Sequence, residues 1–340
     1  MDTTPAQRRR SNADLVALLV VSIWGVSFAF QKVALEQFGA PGFMCLRYLG
    51  MLALSWGVLV YHRVRTREPI GLRAGDLPAL TLAGVLGYTF YIPLSTFGLS
   101  YTTPFSNALL IAVAPLFAIA LLRTLRLETI GPGQYAGMLM AIAGVAVFIL
   151  PALRLRSGGN GIGDVLSLAG AAFFAGYTVA SKPLLSRYRL PAMMAYTLTI
   201  GTVPVVLALV PSLFQRPWEA VNAAGWAAFT WTVIAPVYVA WTLWNWTIGR
   251  MGVARASLFM YLVPVVGGIT SWLLFGEDFG PFKVAGAAFV LAGLAVARRR
   301  TASNRPSPAR RLVAEFLPGK TRATPGTPAV IDHQGAGSRS

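Results

Sequence analysis

Three basic residues lie inside or beside long apolar segments, and their charge and position suit the binding of an anion. Lys32 follows IWGVSFAFQ, Arg47 lies within FMCLRYLG, and Lys182 follows AGYTVAS. A charge in apolar surroundings is costly and usually has a function, here the binding of a carboxylate or a phosphate. Each of the three side chains could instead extend to water at a segment end, and both interpretations stay open.

Other groups that support chemistry are scarce. The chain has one cysteine, Cys45, and two histidines, His62 and His333, so neither a metal site nor histidine-based catalysis is expected. The chain lacks the Walker motif GxxxxGK[ST], so ATP hydrolysis is not expected either, and we expect no cofactor. Aspartates and glutamates fall at the ends of the apolar segments. Facilitated export or exchange is therefore expected as readily as proton antiport.

The composition is that of an integral membrane protein. Hydrophobic residues make up 55% of the 340 residues and charged residues 12%, and the mean hydropathy is +0.60. A soluble domain has about twice that charged fraction. The formal net charge is +17, but the arginines lie between apolar runs and in the C-terminal part, without a basic face that carries interleaved aromatics. We therefore expect a lipid bilayer as partner and no nucleic acid.

Ten apolar runs have roughly the 20 residues that a helix needs to cross a bilayer. Short breaks with Pro, Gly and Arg separate them, and they lack the alternating pattern of a membrane β-barrel. Arginines are concentrated in one set of loops, which predicts that this side and both termini are cytoplasmic. The runs lie near residues 13–35, 41–61, 77–99, 105–125, 133–150, 164–182, 191–214, 226–248, 254–275 and 281–297.

The two halves of the chain repeat each other. A shift of 149 residues places RLETIGPGQYAG (126–137) on FGEDFGPFKVAG (275–286), so that Glu, Gly-Pro and Ala-Gly coincide. A near-equal shift of 150 residues places Lys32 on Lys182. Each half then holds five spans, and because five is odd, the second half must enter the membrane inverted. Inverted repeats are typical of transporters that alternate access to a site near the membrane midplane.

The predicted fold is an all-α integral membrane protein with ten transmembrane helices, arranged as two inverted five-helix repeats. Gly137 and Gly144 in the first repeat, like Gly286 and Gly293 in the second, are seven residues apart and lie near one helix face, where they permit close packing. The predicted parts are a cytoplasmic N-terminal segment (1–12), the first repeat (13–150), an inter-repeat loop (151–162), the second repeat (163–297) and a disordered basic cytoplasmic tail (298–340).

Three features are shared with a known family: IWGVSFAFQKVAL at 23–35, the arginine of FMCLRYLG, and the Pro–Glu–Gly pattern of both halves. On these features the chain resembles the ten-span, EamA-like type of the drug/metabolite transporter superfamily, over residues 13–297. The resemblance implies an inner-membrane secondary transporter that moves a small metabolite by alternating access, and we expect export of an amino acid or a related organic compound. Sugars, nucleotide derivatives, polyamines and drugs are also substrates in this family.

The resemblance also implies a central cavity, lined by parts of helices one, three, four, six, eight and nine. We assign to it the polar and aromatic residues at that depth, together with the basic residues. The aromatic side chains could instead serve helix packing, and the asparagines could bond a neighbouring helix. The candidate substrate-binding residues are Trp24, Ser27, Lys32, Arg47, Tyr88, Tyr91, Asn107, Phe174, Tyr177, Lys182, Trp241 and Asn245; Ser95, Tyr238, Trp244 and Tyr261 lie at similar depth.

Two other functions are kept as alternatives. A membrane-embedded enzyme that acts on lipid would need a nucleophile–base pair or a metal site, and the scarcity of His and Cys counts against it. A structural or sensory membrane protein would not need an inverted repeat. The substrate, the coupling ion and the oligomeric state do not follow from the sequence.

Overall fold

The computed structural model describes residues 5–67, 71–125, 132–154, 160–214, 218–252, 256 and 258–298. Within these residues every regular element is helical, so the all-α prediction is confirmed. Glu128 and Gly131 of the first repeat motif lie outside the described residues. The same holds for the predicted tail, apart from Arg298.

Seven helical segments are long and apolar enough to cross a membrane, and three shorter apolar helices follow the order of the remaining predicted spans. The protein is therefore a multi-pass membrane protein. The long segments are Asn12–Phe38, Ala40–Thr66, Ala74–Tyr101, Pro104–Thr124, Gly161–Ser186, Leu190–Phe214 and Ala223–Met251, and the shorter ones are Tyr135–Phe148, Val263–Phe275 and Pro281–Gly293.

These segments are built from thirteen α-helices in the described residues. They are α1 (Pro5–Phe38), α2 (Ala40–Thr66), α3 (Leu77–Gly84), α4 (Ile92–Tyr101), α5 (Pro104–Ile111), α6 (Ala114–Thr124), α7 (Pro132–Arg154), α8 (Asn160–Ser181), α9 (Leu190–Leu209), α10 (Ala223–Thr232), α11 (Ala240–Met251), α12 (Val263–Phe275) and α13 (Pro281–Arg298).

Local sequence explains where the helices break. Gly39 separates α1 from α2 with φ of 69°, a conformation that glycine adopts without steric cost. Thr103 begins α5, because its side-chain oxygen accepts a hydrogen bond from the backbone N–H of Ser106 at 3.2 Å, and Pro104 occupies the first turn. Gly276 ends α12 in the left-handed conformation that commonly closes a helix.

Two segments are π-helical rather than α-helical. Val85–Tyr91 joins α3 to α4, and Val233–Val239 joins α10 to α11. Fewer than about 1% of residues in globular proteins are π-helical, and such turns often occur at functional sites. A shift of 148 residues relates the two segments, so they occupy the same place in the two repeats within one residue. The apolar runs alone do not distinguish them from α-helix.

Helices from the two halves are interleaved. The first helix of the first half, α1, packs against α10, α11 and α12 of the second half. Its counterpart α8 packs against α3, α4, α5 and α6 of the first half. The equivalent helices α2 and α9 also pack together. Side chains from both repeats therefore meet in the middle of the bundle.

Glycines bring α7 and α13 into close contact, as their spacing predicts. A Cβ atom added to Gly286 would lie 2.8 Å from the carbonyl oxygen of Gly144, and one added to Gly293 would lie 2.6 Å from that of Gly137. Real Cβ atoms do not come this close to backbone oxygens, so the helices could not keep this separation with larger residues.

Gly286→Ala is expected to destabilise the protein by about 1–3 kcal/mol, because the new methyl group forces α7 and α13 apart. The matched control is Gly57→Ala on α2, where nothing lies within 4 Å of the added Cβ atom. Thermal unfolding in detergent should give a Tm at least about 3 °C lower for Gly286→Ala than for the control. Equal Tm values for the two variants would contradict the packing described for α7 and α13.

Candidate substrate site

A cavity lies where the two repeats meet. It has a volume of about 40 Å³, enough for a few water molecules. Helices α1, α2, α4 and α5 line it from the first repeat, and the second π-helical segment, α11, Met260 and Val263 line it from the second. Both π-helical segments reach it, through Tyr91 in the first and through Pro236 and Val237 in the second.

A buried arginine dominates the polar side of the cavity. Arg47 is 5% exposed, and its Nη1 donates to Gln31 Oε1 at 3.1 Å and to Thr96 Oγ1 at 3.4 Å. Gln31 Nε2 also donates to Thr96 Oγ1 at 3.2 Å, so the three side chains form one network. The guanidinium carbon lies 5.4 Å from the centroid of the Phe43 ring. All the partners of Arg47 among the described residues are neutral.

The charge of Arg47 is not balanced within the described part of the chain. It forms no ion pair with any carboxylate there, and its buried Nε has no hydrogen-bond partner. Removing a charge from water costs several kcal/mol unless an opposite charge and further hydrogen bonds compensate. The guanidinium therefore has a buried donor, Nε, without an acceptor, and a guanidinium is the group that binds a carboxylate or a phosphate through paired hydrogen bonds.

Aromatic rings line the cavity beside the polar network. Trp24 Nε1 donates to the carbonyl oxygen of Pro236 at 2.8 Å, which joins α1 to the second π-helical segment. The Trp24 ring centroid lies 5.7 Å from that of Phe174 and 5.3 Å from that of Trp244. The Tyr91 ring lies 5.7 Å from the Trp241 ring. These contacts hold the aromatic faces in place beside the polar network.

Five of the twelve candidate residues line the cavity. They are Trp24, Ser27, Arg47, Tyr91 and Trp241. Tyr88, Phe174 and Tyr177 form a second layer behind Trp241, with ring centroids 4.8, 6.1 and 4.9 Å from its ring.

The remaining four candidates lie away from the cavity. Asn107 Nδ2 donates to the carbonyl oxygen of Ser95 at 2.9 Å, and Asn245 Nδ2 donates to the hydroxyl of Tyr177 at 2.8 Å, so both amides bond neighbouring helices. Lys32 donates to backbone carbonyls at the end of α4. Lys182 is exposed, in agreement with a side chain that extends to water.

Sequence reasoning missed two polar residues of the site, Gln31 and Thr96. Both line the cavity and both bond Arg47. Gln31 is one helical turn after Ser27, on the same face of α1, so helical periodicity from the candidate Ser27 could have found it. Thr96 directly follows Ser95 and carries no such signal.

Comparison with known proteins decides the family. The profile of the EamA-like transporter family matches residues 11–150 and 161–299, one match in each half. The chain belongs to the EamA-like transporter family. The family consists of transporters, and the enzymatic and structural alternatives lose their support.

Individual relatives of the chain are also named as transport proteins. The chain is 29% identical over 298 residues to a probable terminal-alkyne amino-acid exporter of Streptantibioticus cattleyicolor, covering 87% of this chain and 96% of the relative. It is 27% identical over 295 residues to a probable amino-acid metabolite efflux pump of Salmonella typhimurium, covering 82% and 92%. A crystal structure with 22% identity and a TM-score of 0.59, covering 86% of this chain and 99% of its own, has a similar fold.

Trp24→Ala and Trp241→Ala are each expected to reduce transport by about 10-fold or more, because each removes an aromatic wall of the cavity. Trp272→Ala is the matched control, since Trp272 is 59% exposed on the outer face of α12. Flux into proteoliposomes, normalised to the amount of inserted protein, measures the effect. Wild-type flux in both cavity variants would remove the cavity from the transport path.

Proposed function

We propose that this EamA-like protein exports an amino acid, or a closely related small organic carboxylate, across the plasma (inner) membrane by alternating access. The single observation that carries the proposal is Arg47, a buried cation in a central cavity without a counter-charge in the described residues. The names of two relatives, an amino-acid exporter and an amino-acid metabolite efflux pump, support the same substrate class.

The carboxylate of the substrate would pair with the guanidinium of Arg47. That pairing supplies the missing counter-charge and gives the unbonded Nε an acceptor, so binding offsets part of the cost of burying the arginine. Gln31 and Thr96 would keep the guanidinium oriented toward the cavity in the substrate-free protein. The substrate's anionic group thus determines its position.

The remainder of the substrate would lie against the aromatic side of the cavity. Trp24, Tyr91 and Trp241 line it, and the described residues of the lining include no aspartate or glutamate. A substrate ammonium group would therefore interact with ring faces and neutral polar groups rather than with a carboxylate. An aliphatic or aromatic side chain would pack against the same rings.

The cavity must widen to admit such a ligand. Its volume of about 40 Å³ is well below the roughly 300 Å³ at the lower end of small-molecule sites. Movement of one repeat against the other would provide the space, since the walls come from both repeats. The same movement would expose the cavity to one side of the membrane at a time.

Ten crossings and cytoplasmic termini belong to the same proposal. The three shorter apolar helices would cross together with the seven long ones. Arginines at the ends of several segments, such as Arg63, Arg123, Arg187 and Arg250, would face the cytoplasm, and Glu36 and Glu277 would face the opposite side. Two five-helix repeats then have opposite orientations.

Counterflow in liposomes that contain the purified protein tests the function. Labelled amino acids and other small carboxylates are supplied outside, and each unlabelled compound is preloaded inside. Accumulation of label driven by a preloaded carboxylate supports the proposal and identifies the substrate. Flux of cations or neutral compounds only, from correctly inserted protein, would overturn it.

Arg47→Gln is expected to lower kcat/KM for the carboxylate substrate by about 100-fold or more, because it removes one partner of a buried charge pair worth about 2–5 kcal/mol. Arg47→Lys keeps the charge but not the planar pair of donors, so an intermediate loss is expected. The control is Arg65→Gln, which removes an exposed arginine bonded to Tyr61 at the end of α2. Equal kcat/KM for Arg47→Gln and the control would contradict the assignment of Arg47.

A further inference from the structure

Lys32 fastens the end of α1 to the end of α4. Its Nζ donates to the carbonyl oxygens of Leu99 at 3.1 Å, Ser100 at 3.4 Å and Thr102 at 3.1 Å. Carbonyls in the last turn of a helix have no intrahelical partner, and the helix dipole gives them partial negative charge. Lys32 donates to two carbonyls of the last turn of α4 and to that of Thr102, which follows the helix, so it holds this helix end in place. The Thr102 hydroxyl, which donates to Asp164 Oδ1 at 2.6 Å, ties α8 to the same point.

Lys182, the counterpart of Lys32 in the second repeat, does not bond a helix end in the described part of the chain. The shift of 150 residues relates the two lysines. Lys182 follows the last residue of α8, is exposed, and forms no hydrogen bond or ion pair with any residue that the structure describes. One repeat therefore has its lysine bonded to a helix end, and the other has its lysine free of such a bond.

The equivalent helix end lies close to Lys182. The shift of 149 residues takes Leu99, Ser100 and Thr102 to residues 248, 249 and 251, which form the last turn of α11. The turn Leu184–Ser186, just after Lys182, packs against α11. The Leu185 Cδ1 atom lies 3.9 Å from the position of a Cβ atom on Gly249. The helix end that corresponds to the acceptors of Lys32 thus contacts the turn that begins two residues after Lys182.

Helices α4 and α11 occupy equivalent positions in the two repeats. Each begins at a π-helical segment, and the two segments are equivalent in the repeats. Toward its π-helical end each helix contributes side chains to the cavity, Ile92 and Thr96 from α4 and Trp241 from α11. At the other end lie the acceptors of Lys32 on α4 and their equivalents on α11. A π-helical turn can change its hydrogen-bond register more easily than regular α-helix, which suits a hinge.

We propose that Lys32 and Lys182 are reciprocal latches of alternating access. In the conformation described here Lys32 holds α4, and the end of the bundle at Lys182 is unlatched. In the opposite conformation Lys32 releases α4, and Lys182 donates to the last carbonyls of α11, at Ile248, Gly249 and Met251. The inference rests on the proposed transport by alternating access, and it assigns to each lysine the closing of one end of the same cavity.

A simpler interpretation makes a different prediction. If Lys32 only caps α4 and Lys182 only extends to water, the two lysines act independently, and replacing the exposed Lys182 changes no conformation. Reciprocal latches require that each replacement shifts the equilibrium in the opposite direction, because removing a bond made in one conformation favours the other. The Lys182 variant therefore decides between the two interpretations.

Distances between spin labels at the two ends of the bundle test the proposal in the full-length protein, reconstituted in lipid nanodiscs, with Cys45→Ala as background. One label pair, Pro41→Cys with Tyr101→Cys, reports on the Lys32 end, and another, Ser186→Cys with Arg250→Cys, reports on the Lys182 end. All four positions are exposed, so they tolerate labels.

Lys32→Met should increase the population with a long distance at its own end and a short distance at the Lys182 end. Lys182→Met should do the reverse. The ratio of the two populations should change by about fivefold or more in each case, the lower range of coupling between sites. Lys32→Arg, which can still donate to carbonyls, should resemble the wild type and guards against a Lys32→Met variant that does not insert.

Shifts in the same direction for both Met variants, or no shift with Lys182→Met, would overturn the proposal. The same preparations are assayed for counterflow, which separates the two hypotheses. If the protein transports the carboxylate but the two Met variants show no reciprocal shifts in the spin-label distances, the latch proposal is rejected and the proposed function stands. Reciprocal shifts in a protein that transports no carboxylate would reject the proposed substrate class and leave the latches intact.

Discussion

The central constraint on this structure is the cost of a guanidinium charge buried in a membrane protein. Arg47 has only neutral partners in the described residues, and one of its donors is unbonded. Lipid can satisfy neither the charge nor the donors, so the surrounding helices must keep the arginine in a polar, enclosed space. Gln31 and Thr96 bond it there, and aromatic residues line the same cavity. We propose that the substrate's anionic group is the partner of this charge.

The interleaving of the repeats places this site at the centre. Because α1 packs on the second half and α8 on the first, the equivalent residues Trp24 and Phe174 meet with ring centroids 5.7 Å apart. The cavity walls then belong to both repeats, and any relative movement of the repeats changes the cavity. The close contact of α7 with α13 through glycines lies outside this centre, where it joins the repeats by a second, rigid contact. The cavity and the glycine contact thus lie between different helix pairs.

Much of this could be predicted from sequence, for physical reasons that differ between features. Apolar length reveals the spans, and the repeated Glu–Gly–Pro pattern reveals the duplication, because both depend on local chemistry. Arg47, Trp24 and Trp241 were recognisable because charge and aromatic rings in mid-span are unusual. The bonds of Asn107 and Asn245, the role of Thr96 and the π-helical segments could not be predicted, because they depend on which helices become neighbours. Ten crossings and the cytoplasmic termini stay predictions.

The most direct test of the account compares two ligands that differ in a single charge. Counterflow of the labelled substrate is measured in competition with the unlabelled carboxylate and with its uncharged primary amide. The carboxylate is expected to compete about 100-fold better than the amide in the wild type, because it pairs with the buried guanidinium. This preference should disappear in a variant that lacks the Arg47 guanidinium. Equal competition by both ligands in the wild-type protein would contradict the claim that the buried arginine selects the substrate.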